Sequence, residues 1–221
     1  MYVCVAVFSG LLGYVLNLLC EYDSRCDTET ERRTRGSYFF KMNKGRGILL
    51  AGCLLSGAGL AWLFAWYGYG PLKAVRYLLL LSVLYPIAKK DAEEKIIPNR
   101  WLFYLLSGRA VLFLAEVCFF PALIFENLKF ILLGGGVSGA IFFLAYVLSR
   151  HAVGMGDVKL VAVIGMCLGF GSTYLVMLLS LILSALYGGI QVIRKKKSMK
   201  DEIAFGPFLA VGTLIVLLIG A

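Results

Sequence analysis

Hydrophobic and polar residues follow one another along this chain in long blocks. Apolar runs of up to 23 residues are separated by short segments that hold most of the charges. A helix needs about 20 apolar residues to cross a bilayer. We therefore predict an all-α, polytopic membrane bundle of about eight transmembrane helices, formed by residues 2–20, 48–69, 72–88, 98–120, 127–149, 157–170, 172–193 and 203–221.

None of the polar segments between the apolar runs is long enough to suggest a second domain. No internal repeat, low-complexity segment or soluble domain is visible, so residues 1–221 are interpreted as one integral-membrane domain. The longest polar stretch, residues 21–47, is predicted to be a short cytoplasmic loop. The sixth apolar run, residues 157–170, is the shortest and contains several glycines, which predicts a tilted or partial span.

Composition excludes a soluble protein. Hydrophobic residues make up 60% of the chain and charged residues 16%, against roughly 45–50% apolar and about 25% charged in soluble domains. A soluble fold of this size has no way to bury so much apolar surface, so a soluble enzyme and a nucleic-acid module are both excluded.

The distribution of the basic residues predicts the orientation. Eighteen Lys and Arg residues lie in or beside the odd-numbered loops, three lie in or beside the even-numbered loops, and Arg109 lies deep inside a span. Loops rich in Lys and Arg stay in the cytoplasm. We therefore expect the odd-numbered loops on the cytoplasmic side and both termini outside.

The cysteines do not predict a metal site. Four of the six, at positions 4, 53, 118 and 167, lie inside apolar runs, and no pair has C-x-x-C spacing, so neither a zinc site nor a disulfide framework is indicated. We interpret them as small apolar residues of the helices.

Two aspartates lie where predicted spans meet the cytoplasm. Asp91 follows the third run and Asp157 opens the sixth, and both adjoining loops are assigned to the same face. Two close carboxyl groups cannot both ionise easily, so such a pair shares a proton. It can then activate a water and protonate a scissile carbonyl, as in an aspartic protease. Position alone also fits two solvated boundary acids.

The neighbours of the two aspartates favour a site. Gly154 and Gly156 allow close approach of another chain to Asp157, whose place at a predicted helix N-terminus favours its charged form. Lys159 is close enough to influence the same charge. Pro98 fits the first turn of the next helix, so we expect residues 91–97 to form a cytoplasmic turn.

Several motifs resemble type IV prepilin peptidases, a family of G-x-G-D membrane aspartic peptidases. The run D-A-E-E-K-I-I-P-N at 91–99, which ends in Pro98 and Asn99, looks like the first signature of the family. The run G-M-G-D-V-K-L at 154–160 resembles the second. The segment A-F-G-P-F-L-A at 204–210 is similar to a third, and residues 8–17 resemble the first helix of the family.

The resemblance implies a function and site residues. Asp91 and Asp157 look like the two catalytic aspartates, while Gly154, Gly156, Lys159, Pro98 and Asn99 correspond to residues that bind substrate or shape the site. The implied reaction is removal of the basic leader from prepilin or pseudopilin substrates. The resemblance also implies a multi-pass protein in the lipid bilayer of the bacterial inner membrane, with the reaction at the cytoplasmic face. No cofactor, metal or nucleic acid is expected.

The chain resembles a short form of the family. Longer members carry a cytoplasmic insert with two zinc-binding C-x-x-C pairs, whereas the corresponding region here is only residues 21–47. N-methylation of the processed product is left open. The alternatives are a small transporter or a non-enzymatic assembly factor that uses the acidic pair for binding, and a peptidase that processes unrelated signal peptides.

Three further residues have no role in the resemblance. Arg109 and Glu116 lie seven residues apart in the fourth span, two helical turns from each other, so we expect no direct contact unless a side chain extends along the helix. A structural polar contact is favoured over a substrate role for both. His151 is the only histidine, and we interpret it as a solvated loop residue in preference to a group that tunes the aspartates.

Overall fold

The described part of the chain is helical. The computed structural model describes residues 65–148, 154–194 and 204–220, and the chain divides into two compact units, Met1–Ser82 and Val83–Ala221. The prediction of an all-α fold is confirmed for these residues. Their six complete helices are α1 (Pro71–Glu94), α2 (Asn99–Phe119), α3 (Ile124–Leu148, preceded by a 3-10 turn at Pro121–Leu123), α4 (Met155–Leu168), α5 (Phe170–Ile193) and α6 (Gly206–Ile219).

Four segments are long and apolar enough to cross a membrane. They are Pro71–Glu94, Asn99–Phe119, Pro121–Leu148 and Phe170–Ile193, and each contains or closely matches a predicted apolar run. A multi-pass membrane protein follows from them. The predicted run 2–20, most of run 48–69, the loop 21–47 and His151 lie outside the described residues.

The end of α1 differs from the predicted turn at residues 91–97. The helix continues through Asp91 to Glu94, since the residues after Asp91 are an alanine and two glutamates, which are strong helix formers. Lys95 then adopts a left-handed conformation with φ 55°, and its N–H donates to the Asp91 carbonyl over 2.8 Å. Asp91 therefore lies in the last turn of a helix.

Helix α4 is short and central in the second unit. Its 14 residues rise about 21 Å at 1.5 Å per residue, less than the roughly 30 Å of a hydrocarbon core. It packs against α2, α3 and α5. Most of its residues are buried, namely Val158, Leu160, Val161, Val163, Ile164, Gly165, Cys167 and Leu168.

Glycines let α3 and α4 approach each other. A Cβ on Gly165 would collide with the Gly134 carbonyl, and a Cβ on Gly134 with the Gly165 carbonyl. Small residues at helix crossings allow backbones to meet in membrane proteins. This crossing fixes α4, whose first turn carries Asp157.

Helices α5 and α6 are joined through a hydroxyl. Ser180 Oγ donates within its own helix to the Val176 carbonyl at 2.7 Å and lies 3.0 Å from the Phe208 carbonyl of α6. Gly212 of α6 packs on the same hydroxyl, since a Cβ there would lie 2.5 Å from it. The start of α6 is thereby attached to the rest of the second unit.

Candidate active site

Asp91 is buried and held by the start of α6. Only 5% of the surface of this residue is exposed to solvent. The backbone N–H of Gly206, the first residue of α6, donates to Asp91 Oδ2 over 2.8 Å. The third motif of the sequence thus meets the first one across 115 positions of chain.

Asp157 lies in the first turn of α4. The helix begins at Met155, so the predicted position of Asp157 at a helix N-terminus is confirmed. Asp157 as a whole is half-buried. Within the described part of the chain, Asp157 Oδ1 is buried and has no hydrogen-bond partner. Such an oxygen is costly to charge.

The surroundings of Asp157 favour its protonated form. Asp157 lies outside the four span-length segments. Burial and, to a smaller extent, the negative charge of Asp91 together raise the pKa of Asp157 to about 7, while a backbone hydrogen bond from Gly154 opposes both. The effect of burial on Asp157 is therefore larger than the effect of the helix N-terminus, which was expected to favour the charged form. The influence of Asp91 also means that the two carboxyl groups are within electrostatic range of each other.

The two aspartate motifs touch at their flanks. A Cβ built on Gly156 would lie 3.1 Å from Ile97 Cβ, so the backbone of α4 passes closely over the residue before Pro98. Lys159 Nζ donates to Asn99 Oδ1 over 3.2 Å. These two contacts bring the loop between α1 and α2 to the first turn of α4.

The remaining predicted site residues lie at the starts of helices. The sequence placed Pro98 in the first turn of α2. In the structure Pro98 is the N-cap and the helix begins one residue later, at Asn99. Gly154 is the N-cap of α4 in an extended conformation. A Cβ on Gly154 would lie 3.1 Å from Asp157 Oδ2, so this glycine leaves one side of that carboxyl open.

Gly206 is a site residue to which sequence reasoning assigned no role. It contributes its backbone, so no side chain marks it. The available signal was the segment at 204–210, whose glycine is followed by a proline. A hydrogen bond from a glycine amide to an acid 115 residues away has no pattern in the sequence.

Arg109 and Glu116 contact each other directly, in the one way the sequence left open, through a side chain that extends along the helix. Both are buried, and Arg109 Nη1 and Nη2 each donate to Glu116 Oε2 over 3.2 Å. The arginine side chain is long enough to extend along two turns of α2. Arg109 Nε also donates to the Met166 carbonyl in the last turn of α4. The structural polar contact favoured above is what the side chains form.

The arrangement can support acid–base chemistry. Two carboxyl groups in unequal surroundings divide into a proton donor and a proton acceptor. Among the described residues, no group of three His, Cys, Asp or Glu side chains could hold a metal ion. The described cysteines, Cys118 and Cys167, are not joined in a disulfide; the first is exposed and the second is buried.

Known proteins share this sequence pattern. Residues 78–189, which include both aspartates, match the type IV leader peptidase family. The chain is 29% identical over 173 residues to "Prepilin leader peptidase/N-methyltransferase" of Bacillus subtilis (strain 168) and 30% identical over 164 residues to a protein of the same name from Aeromonas salmonicida (strain A449). It is 33% identical over 132 residues to "Leader peptidase HopD" of Escherichia coli. No solved structure matches significantly.

The matches cover different shares of the proteins. The Bacillus match covers 78% of this chain and 64% of the relative, and the Aeromonas match 69% and 51%. The Escherichia coli match covers 57% of this chain and 81% of the relative. The chain thus spans about half to two thirds of the first two relatives and most of the third.

Proposed function

The chain belongs to the type IV leader peptidase family, and from this membership we propose that it is a membrane aspartic endopeptidase. Its substrates in this proposal are prepilins or pseudopilins, from which it removes the basic leader. One observation carries the proposal: Asp91 and Asp157, on different helices, are within electrostatic range, and the pKa of Asp157 is raised to about 7. The names of the Bacillus and Aeromonas relatives support prepilins as the substrate class, and the name of the Escherichia coli relative supports removal of a leader.

The proposed mechanism uses the two carboxyl groups and one water. One carboxylate removes a proton from the water as its oxygen forms a bond to the scissile carbonyl carbon. The other carboxyl group donates its proton to the carbonyl oxygen. The tetrahedral gem-diol intermediate then collapses, the C–N bond breaks, and the amine leaves with a proton from the first carboxyl group. One hydroxyl of the intermediate returns its proton to the second carboxyl group as the new C=O bond forms. The products are the leader and a shortened protein.

The other predicted site residues support the pair in this proposal. The hydrogen bond between Lys159 and Asn99 and the contact of Gly156 with Ile97 hold the two motifs together. Pro98 and Gly154 start the helices that follow these contacts. All are proposed to shape the site, with Gly154 leaving room beside Asp157.

The proposal places the site at the cytoplasmic face of the bacterial inner membrane. In it, residues 1–221 form one domain of about eight helices with both termini outside and residues 21–47 as a cytoplasmic loop. The excess of basic residues in the odd-numbered loops supports this orientation. The methyltransferase activity in the names of two relatives is not part of the proposal.

Replacement of each aspartate tests the function. Asp91→Asn and Asp157→Asn should each abolish cleavage of a co-expressed prepilin, since either change removes a reacting proton site. Glu126→Gln is the control, because Glu126 is exposed in α3 and pairs only with Lys129 among the described residues. Undiminished cleavage by both aspartate variants would refute the assignment. A secretory and a lipoprotein precursor tested beside the prepilin separate this activity from general signal-peptide processing.

A further inference from the structure

We infer that the Gly206 backbone N–H is a positioning group that keeps Asp91 ionised, so that Asp91 activates the water and Asp157 supplies the proton. The inference rests on the proposed function for its catalytic meaning. The division of the proton between the two carboxyl groups, however, can be measured without any substrate.

The first step is the hydrogen bond to Asp91. Asp91 Oδ2 accepts from the Gly206 amide over 2.8 Å. A hydrogen bond that a carboxylate accepts favours its charged form. Gly206 is also the first residue of α6, and the N-terminus of a helix attracts negative charge. Both effects favour the charged form of Asp91 and oppose the burial of its side chain, which favours the neutral acid.

The second step is why a glycine supplies this amide. A Cβ at position 206 would lie 2.8 Å from Asp91 Oδ2 and 3.2 Å from Asp91 Cβ. Any other residue would therefore push the carboxylate away from the N–H. Pro207 follows and has no N–H of its own. The amide of residue 206 reaches Asp91 because the residue is glycine.

The third step is how the amide is held in place. The ring of Phe205 packs on that of Phe142 in α3 with centroids 5.7 Å apart. On the other side of Gly206, the Phe208 carbonyl contacts Ser180 Oγ of α5. The segment around Gly206 is thus fixed to two helices, so its N–H direction is set by packing and does not depend on Asp91.

The fourth step is the contrast with Asp157. Its Oδ1 is buried without a hydrogen-bond partner among the described residues, and its pKa is raised to about 7. A proton shared by the pair therefore resides on Asp157 while Asp91 accepts the amide hydrogen bond. The unequal surroundings give each carboxyl group one role.

Two charged side chains on the adjoining elements contact partners other than the two aspartates. On α1, Lys90 pairs with Glu94 at 3.6 Å. On α4, Lys159 donates to Asn99. Helix α6 carries no charged side chain. Its contribution to Asp91 is therefore the backbone of Gly206.

The pH profile of cleavage tests the positioning role. In Gly206→Ala the amide moves away, so Asp91 should protonate more easily and the acidic limb should move up by about one pH unit. The alkaline limb, which reports Asp157, should stay near that of the wild type. Gly189→Ala is the matched control, because a Cβ at this α5 glycine meets nothing within 4 Å.

A second variant covers the case in which Gly206→Ala does not fold. Phe142→Leu removes the ring that supports Phe205 and adds no atom near Asp91. It should move the acidic limb in the same direction by less. An equal loss of rate at every pH in both variants, or a shift of the alkaline limb alone, would overturn the inference.

Infrared titration of the protonated carboxyl groups tests the same division with no substrate present. A carboxyl band that disappears near pH 7 in the wild type should be absent from Asp157→Asn and retained in Asp91→Asn. The opposite assignment overturns the inference even if cleavage is confirmed. The expected assignment in a protein that cleaves no prepilin would instead reject the proposed function and leave the division of the proton intact.

Discussion

Asp157 experiences two opposing influences at the scale of one side chain. The first turn of α4 favours a negative charge, and so does the backbone hydrogen bond from Gly154, but burial favours the neutral acid. Burial dominates. The sequence identified the helix start, while the depth of burial depends on residues from other helices and had no local signal.

The raised pKa of Asp157 predicts how stability changes with pH. Its pKa rises from 3.8 to about 7 on folding, so between these values the folded protein binds more protons than the unfolded chain. Stability from this group is present at low pH and is lost as pH rises toward 7. We expect the wild type to lose thermal stability in detergent over this window more steeply than Asp157→Asn. Equal slopes for the two proteins would contradict the raised pKa.

The sequence predicted the two aspartates from their positions but not the contacts around them. Asp91 and Asp157 stand out because both lie next to loops assigned to the same face and within two of the recognised motifs. The hydrogen bond from Lys159 to Asn99 joins residues 60 positions apart, and Gly206 acts through its backbone. Neither type of contact leaves a periodic or compositional trace, so both required the structure. The catalytic roles of the aspartates stay a prediction.

At the scale of helices, apolar runs predict membrane segments better than they predict helix ends. The runs 98–120 and 172–193 agree closely with α2 and α5. Helix α1 extends well past residue 88, where its apolar run ends, because hydropathy does not detect a polar last turn. Burial of Asp91 under the start of α6 stabilises that turn, and this contact is not local in sequence.

The crossing of α3 and α4 predicts a strong effect of a small substitution. In Gly165→Ala the added methyl group meets the Gly134 carbonyl and Ser138 Oγ, so the helices must separate. Overpacking of this kind costs about 1–3 kcal/mol of unfolding free energy. We expect a lower thermal midpoint in detergent. The control Gly136→Ala lies in α3 with nothing within 4 Å of the new methyl group, and an equal loss in both variants would argue against the crossing.

The buried ion pair in α2 predicts a non-additive result. Arg109→Met leaves the Glu116 carboxylate buried without its cation, which costs about 3–5 kcal/mol. Arg109→Met combined with Glu116→Leu removes both charges, and such replacements of buried pairs are often neutral. The double variant should therefore be more stable than Arg109→Met alone, as measured by chemical denaturation in a fixed detergent. Additive losses would mean that the two side chains act separately.

At the scale of the whole molecule, the charge distribution and the described helices address different questions. Four span-length segments establish that the chain has the character of a multi-pass membrane protein. The direction in which those segments cross is a prediction that rests on eighteen basic residues against three. The orientation is therefore a prediction from the sequence, whereas the hydrogen bond between Gly206 and Asp91 is seen in the structure.

Site-specific labelling tests this orientation. Lys129, near the start of α3, belongs to an outer loop in the predicted topology, and Arg194, at the end of α5, belongs to a cytoplasmic one; both residues are exposed. In a background without the six native cysteines, Lys129→Cys should react with an impermeant maleimide added to intact spheroplasts. Arg194→Cys should react only after the membrane is opened. The reverse pattern would place Asp91 and Asp157 at the outer face, where a cytoplasmic leader has no access to them.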